Sequence, residues 1–287
     1  MTWLTFDDEQ SRSLLAGEQV QHLRWAGSRD YANTVRNTGT AVGRLRSGTY
    51  DTVISTGAAA ALSVLPLAHL QGLPCHYIES ATRTEHPSLT GRLLAAIPGV
   101  HCYTQYASWS GSRWAYGGSV FDGYAPTAPQ PVVLRKVVVT LGTMRQWSFR
   151  SAVERLLQVL PREAEVVWQT GHTDVSGLPM VAQPLLSSDA LTRHMREADL
   201  VVAHAGVGSA LDALEAGHRP LLLPRRASRG EHVDDHQVAV TSELVGRDLA
   251  VTAEAPDLMP HHLEQAAARR VRRVSPPDFL LARPRGG

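Results

Sequence analysis

The sequence has little cysteine and almost no net charge. Only two of its 287 residues are cysteine, Cys75 and Cys102, which is too few for a disulfide framework. Both lie in predicted strands without the spacing of metal ligands, which indicates buried thiols of a cytosolic protein. The formal net charge is +1 at pH 7, so no global field attracts a polyanion. We therefore expect no nucleic-acid partner.

A long hydrophobic run is also missing. The most apolar stretch, residues 57–74, is interrupted by Pro66 and His69 and is too short to span a bilayer. Acidic residues at positions 7–9 stand where the apolar core of a signal peptide would lie. We expect no membrane span. The arginines clustered at 269–273 fit either a solvated face, which we favour, or contact with anionic lipid headgroups.

Short apolar runs alternate with segments of helical periodicity, a pattern that indicates βαβ units and parallel sheets. A Gly- and Pro-rich segment without periodicity separates two such halves and marks a domain boundary. We expect the binding cleft between the halves, at the carboxyl ends of both sheets. The predicted parts are an N-terminal domain (1–117), a linker (118–131), a C-terminal domain (132–274) and a flexible tail (275–287).

The clearest site pattern is HAGVGSALDALEAG, residues 204–217, which follows the apolar run 199–203. It predicts a buried strand, a loop with two glycines, and a short helix capped by Ser209 and ended by Gly217. Unpaired N–H groups and the helix dipole at such a helix start attract anions. A tight turn without any ligand is the alternative.

Two other ligand classes fit this half less well. A dinucleotide fingerprint would need a third glycine where Leu211 stands, and an acidic residue where Arg225 and Arg226 stand. His232 and His236 have the i, i+4 spacing of metal ligands, but no third ligand is evident. We therefore expect neither a dinucleotide nor a metal site.

Four loops follow predicted strands of the second half and would meet at one edge of a parallel sheet. The charge of a diphosphate would suit the glycine loop and its helix start. Asp212, one turn into that helix, either accepts hydrogen bonds from a ribose diol or forms a capping box with Ser209. The polar run 230–237 suits the hydroxyls of a sugar. The loops are residues 142–143, 169–172, 204–209 and those from 224 onward.

Several motifs together resemble glycosyltransferase family 28. VTLGT (139–143), WQTGH (168–172), ADLVVAHAGVGSALDALEAGHRPLLLPR (198–225) and GEHVDDHQ (230–237) are similar to its C-terminal donor domain. VISTGAAAALSVLPLA (53–68) and HYIESATRTEHPSLTGRLL (76–94) are similar to the acceptor, membrane-recruiting subunits of its two-subunit members. Here the two parts are fused in one chain, and the motifs keep the family's order.

The resemblance implies an α/β fold of the GT-B class, in which two Rossmann-like domains with parallel sheets face each other across a cleft. It implies inverting transfer of a sugar from a UDP-linked donor without a metal ion or other cofactor. The implied acceptor is a sugar on a polyprenyl diphosphate, used in cell-surface polysaccharide synthesis. The protein would then be cytoplasmic and bound peripherally to the inner face of the plasma membrane.

The resemblance also implies residue roles on the donor side. The diphosphate would lie against His204, Gly206, Gly208 and Ser209, and the ribose against Asp212. Asp235 and Gln237 would contact sugar hydroxyls, and Gly142 and Thr143 would form a loop facing the cleft. The remaining donor candidates lie in the same loops: Gln169, Gly171, Arg225 and Glu231.

The start of the chain departs from the family pattern. Family members open with a strand and a Gly-Gly-His loop, whereas this sequence opens at the counterpart of the second strand, Trp3–Phe6. The first strand of a doubly wound sheet is central, so its omission leaves a slot between Trp3–Phe6 and Val53–Ser55. Either the sheet closes differently or a further strand is encoded upstream of Met1. We favour the second, and a stop codon in the upstream frame would contradict it.

Without that loop, the general base has to come from elsewhere in the first half. Glu79, at the end of a predicted strand, is the first candidate and His86 the second. The alternatives are that Glu79 forms an ion pair with Arg83 and that His86 is a solvated loop residue. On the acceptor side, Gly57 and Arg83 are candidates, the latter for a phosphate.

Two rival functions stay open. One is a non-catalytic UDP-sugar-binding module whose acceptor domain is completed by a partner chain. The other is a GT-B sugar-nucleotide epimerase, which needs no acceptor lipid. The sequence also leaves open whether the chain acts alone, with a partner chain or as a homodimer, and which sugar it handles.

Overall fold

A computed structural model describes residues 1–26, 30–57, 59–142, 147–233 and 235–282. The chain divides into two compact units. The N-terminal unit comprises Met1–Ser119 with Asp278–Gly287, and the C-terminal unit comprises Val120–Pro277. Both are α/β units with parallel sheets. Within the described ranges, no helix is long and apolar enough to cross a membrane.

The N-terminal unit has six strands in two separate parallel sheets. One sheet pairs β1 with β2, and the other has the order β3-β4-β5-β6. The elements are β1 (Trp3–Phe6), α1 (Glu9–Leu14), β2 (Val20–Leu23), α2 (Tyr31–Ser47), β3 (Val53–Ser55), α3 (Ala60–Leu70), β4 (Cys75–Ile78), α4 (Leu89–Ala95), β5 (Val100–Thr104) and β6 (Trp114–Tyr116).

The core of this unit lies against the four-stranded sheet. Leu65 of α3, Tyr77 of β4 and Leu94 of α4 are fully buried there. Polar residues begin the helices: Asp30 accepts a hydrogen bond from the Asn33 N–H at the start of α2. The apolar faces of these helices, rather than their propensity, fix them on the sheet.

The C-terminal unit contains a continuous parallel sheet with the order β12-β11-β10-β8-β9. Its three middle strands are buried along nearly their whole length. Two further strands, β7 and β13, form an antiparallel pair. The elements are β7 (Tyr124–Pro126), β8 (Lys136–Thr140), α5 (Arg150–Val159), β9 (Glu165–Gln169), α6 (Ser188–Glu197), β10 (Leu200–His204), α7 (Val207–Glu215), β11 (Leu221–Leu223), α8 (His236–Gly246), β12 (Val251–Thr252), α9 (Pro260–Ala267) and β13 (Val271–Arg273).

The predicted linker and tail differ from the structure. Residues 124–126 of the expected linker form β7, which pairs with β13. Three arginines of the cluster at 269–273 have partners in the same unit: Arg269 pairs with Asp248, Arg270 donates to the Ala198 carbonyl at 2.9 Å, and Arg273 pairs with Glu215. In the tail, the Phe279 ring packs edge-on against Tyr103 and Leu280 N–H donates to Gly117. Both contacts lie within the N-terminal unit.

Candidate functional site

The C-terminal sheet has its topological switch point between β8 and β10. From β8 the chain proceeds to β9 on one side and then crosses to β10 on the other side. Loops at such a point diverge and leave a crevice outside the carboxyl ends of the strands. Gly142 follows β8 and Gly206 follows β10, so the two predicted glycine loops flank this crevice.

The imidazole of His204 is packed between these two glycines. A Cβ atom at Gly142 would lie 2.6 Å from its Cε1, and one at Gly206 would lie 2.5 Å from its Nε2. Gly142 also has a φ of +76°, which side chains rarely adopt. Both positions therefore require glycine because the ring occupies the space of a side chain.

His204 is neutral at physiological pH. Desolvation of the ring and the nearby Arg225 guanidinium lower the pKa of His204 to about 3. Its Nδ1 lies 3.3 Å from the Ser209 Oγ, and the Thr140 backbone carbonyl accepts a hydrogen bond from the ring. The histidine ring therefore lines the crevice as a fixed, uncharged polar group.

Helix α7 begins three residues earlier than the sequence pattern predicts. Gly206 is its N-cap residue and makes no side-chain cap, whereas Ser209 lies inside the first turn and faces His204. The predicted Ser209 cap and the Ser209–Asp212 capping box are therefore wrong. No described side chain caps the N–H groups of Val207 and Gly208, and the space beside Gly208 is open. This helix start can receive an anion.

A buried arginine lies behind the same loop. Arg225 is only 2% exposed, its guanidinium donates to the Leu141 carbonyl at 2.6 Å, and it stacks over the Phe149 ring at 5.4 Å. Its Nε is buried and has no hydrogen-bond partner among the described residues. Burial lowers the pKa of Arg225, with Glu231 opposing that shift. The unit therefore holds a buried cation whose hydrogen-bonding capacity is only partly used.

Asp212 keeps its carboxylate free. It is exposed on α7, one turn beyond the open helix start, and it makes no hydrogen bond or ion pair with any described residue. Its predicted alternative, the capping box, is excluded by the position of Ser209. The carboxylate is therefore available to accept hydrogen bonds from a ligand beside the helix.

Other predicted ligand residues of the β9 loop are hydrogen-bonded within the protein. The Gln169 amide donates to the Thr140 Oγ1 at 3.0 Å and accepts from Leu186 N–H at 3.0 Å. Gly171, with a φ of +60°, donates its N–H to Pro184. Both residues shape the loop rather than present a group to the crevice. Thr143 lies outside the described residues.

The polar run after β11 likewise serves its own loop. Glu231 is buried and accepts hydrogen bonds from Ser151 Oγ, Arg226 N–H and Arg229 Nε. Asp235 accepts from Ala227 N–H, and Gln237 accepts from Arg225 N–H at 3.0 Å. These side chains hold Arg225 and its loop in place. These side chains therefore position the loop. None of these hydrogen bonds shows a direct contact of Asp235 or Gln237 with a sugar hydroxyl.

In the N-terminal unit, the first predicted base is a structural carboxylate. Glu79 is 2% exposed, and its carboxylate accepts from Tyr77 OH, Ser80 N–H and both the N–H and Oγ of Ser88. A Cβ at Gly91 would lie 2.3 Å from its Oε2, so α4 closes over it. A buried carboxylate that accepts four hydrogen bonds is poorly suited to take a proton from an acceptor, and the role of Glu79 as general base stays a prediction.

The remaining acceptor-side candidates stay accessible. The Glu79–Arg83 ion pair does not form, and the half-buried Arg83 guanidinium has no hydrogen-bond partner among the described residues. His86 is exposed in the same loop. Gly57 has a φ of +122°, a conformation that favours glycine. Arg83 and His86 therefore remain predictions for acceptor contact and proton transfer.

A family model describes the C-terminal unit. Residues 136–273 match the glycosyltransferase family 28 C-terminal domain. We refer to residues 136–273, just under half of the chain, as the family 28 domain after the model that they match. The match begins at β8 and ends at β13, so it contains the switch-point crevice, His204, α7 and Arg225.

Similarity to individual proteins extends this result. The chain is 39% identical over 57 residues to the UDP-N-acetylglucosamine transferase subunit ALG13 of Yarrowia lipolytica, a match that covers 20% of this chain and 27% of that relative. Acinetobacter baumannii MurG superposes with a TM-score of 0.59 at 18% identity, over 92% of this chain and 79% of MurG. Glycosyltransferase SnogD from Streptomyces nogalater gives 0.57 at 18% identity, over 93% and 84%. The predicted GT-B fold class is confirmed.

The family 28 domain also contains an aromatic cluster that the sequence did not predict. The His232 ring stacks 6.0 Å from the Trp147 ring and meets His236 edge-on at 4.8 Å. Both histidines lie close enough to contribute to the lowered pKa of His204. Trp147 is 85 residues from His232 in the chain, so spacing alone could not reveal the contact. Within the described part of the chain, no group of three side chains suited to metal binding occurs.

Proposed function

We propose that this protein is a glycosyltransferase that uses a UDP-linked sugar donor. The observation that carries the proposal is the anion site of the family 28 domain. There the uncapped start of α7 and the buried, partly unpartnered Arg225 adjoin the crevice at the switch point. A diphosphate supplies the negative charge and the acceptor oxygens that both groups lack.

The donor's other parts fit the neighbouring groups. The free Asp212 carboxylate, one turn along α7, suits the two hydroxyls of a ribose. Neutral His204 donates or accepts a hydrogen bond without repelling the arginine. The curated relative is named a UDP-N-acetylglucosamine transferase subunit, which supports uridine as the nucleoside.

The proposed reaction is direct displacement with inversion, without a protein-held metal. The acceptor hydroxyl forms a bond to the anomeric carbon as the bond from that carbon to the diphosphate oxygen breaks. The charge that develops on the diphosphate is stabilised by the α7 N–H groups and Arg225. The hydroxyl proton passes to a base of the acceptor side, for which exposed His86 is the candidate.

We propose a polyprenyl-diphosphate-linked sugar as the acceptor, reached at the inner face of the plasma membrane. The unpaired Arg83 guanidinium is suited to its phosphates. Helix α4 supports membrane contact, because Leu89 and Leu93 are about half exposed and flank exposed Arg92 on one face. Peripheral binding then requires only this face and not a membrane-spanning helix.

Isothermal titration with UDP, dTDP and GDP tests the donor, and UDP release in the presence of lipid extract tests transfer. We expect UDP to bind most tightly and release to depend on the lipid and to persist in EDTA. Absence of UDP binding would overturn the proposal. Loss of activity in EDTA that Mg²⁺ restores would overturn its metal-independent part.

A second candidate, a UDP-sugar-binding module without transfer activity, is favoured by one observation. The predicted base Glu79 is saturated with donors inside the N-terminal unit. The titration and the UDP-release assay together separate the candidates, since tight UDP binding with no UDP release from any lipid fraction would support the module. Turnover would rule it out.

A further inference from the structure

The loop that follows β4 is held at both ends by one carboxylate. This 80–88 loop connects β4 to α4 and carries Arg83. Glu79, the residue before it, accepts hydrogen bonds from Ser80 N–H at 3.0 Å and from Ser88 N–H at 2.8 Å. The two ends of the loop are therefore joined through a single buried side chain, which makes the loop compact.

Two aromatic side chains hold the middle of the 80–88 loop. Both lie just after β5: the Tyr106 hydroxyl donates to the Ala81 carbonyl, and the Trp109 Nε1–H donates to the Arg83 carbonyl at 3.2 Å. Tyr106 is fully buried and Trp109 is half-buried, so both donors are packed into the unit. The carbonyls of a surface loop can be satisfied by water. Here protein donors take that place, which restricts the backbone around Arg83.

The side chain of Arg83 is the part of this loop that stays free. Its N–H donates to the Ser80 carbonyl at 2.9 Å and its carbonyl accepts from Trp109, but its guanidinium contacts no acceptor among the described residues. Glu79 is engaged at the ends of the loop, and exposed Glu85 forms no ion pair with any described residue. An unpaired cation on a fixed backbone is preorganised to bind an anion.

We propose that Tyr106 and Trp109 are positioning residues for acceptor binding. They hold the backbone at residues 81–83, so that the Arg83 guanidinium is presented to a phosphate of the acceptor diphosphate from a fixed point. The guanidinium fork matches two phosphate oxygens, and a fixed backbone reduces the conformational entropy that is lost on binding. Neither aromatic side chain has to touch the acceptor. This inference rests on the proposed polyprenyl-diphosphate acceptor.

The alternative is that the two donors only stabilise the fold. The two roles differ in how the loss of a donor combines with the loss of Arg83. A positioning residue acts through Arg83, so its removal no longer affects the ligand once the guanidinium is gone. A residue that only stabilises the unit lowers the melting temperature in both backgrounds and leaves the affinity of the folded protein unchanged.

Binding of farnesyl diphosphate tests the proposal without requiring turnover. Titration calorimetry uses the full chain saturated with UDP, so that the anion site of the family 28 domain is filled, and farnesol is the probe without phosphates. We expect Arg83→Met to weaken binding of the diphosphate about 10- to 100-fold. Trp109→Phe keeps an aromatic ring but removes the Nε1 donor, and should weaken it about three- to tenfold. Farnesyl diphosphate that binds no better than farnesol would overturn the proposal.

The double variant gives the decisive comparison. In the Arg83→Met chain, adding Trp109→Phe should change the affinity less than about twofold, because no guanidinium remains to be positioned. Tyr106→Phe should behave in the same way. The positioning role is overturned when Trp109→Phe costs the same factor with and without Arg83, or when either single aromatic variant binds as the parent does.

Trp114→Phe is the matched control. The ring of Trp114 lies 5.3 Å from that of Trp109 and is largely buried, but among the described residues it makes no hydrogen bond to the 80–88 loop. This variant should lower the melting temperature yet change the affinity for farnesyl diphosphate less than about twofold. A loss of affinity equal to that of Trp109→Phe would overturn the proposal.

Failure of this inference is distinguishable from failure of the proposed function. Without UDP binding, the proposed function fails. Lipid-dependent UDP release, combined with equal losses from Trp109→Phe in both backgrounds, would leave the proposed function standing and overturn only the positioning role.

Discussion

The two units have parallel sheets of the same kind but differ in continuity. In the C-terminal unit, five strands form one sheet whose middle strands are buried, and its switch point carries the candidate anion site. In the N-terminal unit, the sheet is divided into two and four strands, and the strands at the division are half exposed. The continuous C-terminal sheet can hold ligand-binding groups in fixed positions on its own. The divided N-terminal sheet has strand edges whose backbone groups can still form hydrogen bonds with another strand.

The largest effect expected from this difference is on stability. Leu223→Ala in β11 truncates a fully buried side chain and should cost about 2–5 kcal/mol of unfolding free energy. Leu4→Ala in half-buried β1 removes the same atoms and should cost less than about 1.5 kcal/mol, because less area leaves water. Urea unfolding of both variants measures this, and equal losses would remove the contrast between the units.

Nucleotide affinity should depend on the C-terminal unit's buried cation. Arg225→Met keeps the packing on Phe149 but removes the charge, and UDP binding should weaken about 10- to 100-fold. Arg226→Met removes the neighbouring arginine, which pairs with Asp235 and Glu254 at 3.7–3.8 Å, and should change affinity less than about twofold. Titration calorimetry compares the two, and similar losses would show that local charge rather than this buried group attracts the nucleotide.

Acid should destabilise the C-terminal unit through its buried histidines. The folded pKa of His204 is about 3, below the unfolded value, so the unfolded chain binds the proton first and stability falls as pH drops. Between pH 8 and 5 the free energy of unfolding should fall by about 2 kcal/mol because of His204. Burial lowers the pKa of His218 to about 4, which acts in the same direction.

The matched variants for this prediction are His204→Gln and His172→Gln. His204→Gln should remove about half of the acid loss, whereas the exposed His172→Gln should leave it unchanged. Urea unfolding at each pH measures the acid loss of both variants. An unchanged pH slope in His204→Gln would show that His204 protonates freely in the folded protein.

The smallest expected effect on catalysis concerns Glu79 in the N-terminal unit. Glu79→Gln replaces a charged acceptor of four hydrogen bonds and should cost about 1–3 kcal/mol of stability. It should lower kcat by less than about tenfold at a temperature where the variant is folded, without moving the pH–rate profile. Loss of the basic limb of that profile would restore Glu79 as the base, and His86→Gln is the comparison variant.

Regular elements were largely predictable from the sequence because their patterns are local. Trp3–Phe6 and Val53–Ser55 are strands, as their short apolar runs predict. The start of α7 was misplaced because serine is a common cap, whereas here the ring of His204 draws the Ser209 hydroxyl away from that role. Strand β13 was missed because its partner β7 lies about 145 residues away in a segment rich in glycine and proline.

The site was predictable as a set of loops and only partly as a set of contacts. The positions of Gly206, His204 and Asp212 follow from one strand–loop–helix pattern. The burial of Glu79 and Glu231 could not be predicted from a local pattern, because their hydrogen-bond donors Ser88 and Ser151 come from other elements of the chain. Polar residues near a strand end can hold a loop or a ligand, and only tertiary contacts distinguish the two roles.

The packing of His204 between Gly142 and Gly206 has an evolutionary consequence. Neither glycine can gain even a methyl group while the ring stays in place. A smaller residue at 204 would release both constraints at once. These three positions, 64 residues apart at the extremes, should therefore vary together among related sequences, with side chains at 142 or 206 found only where 204 is no longer aromatic.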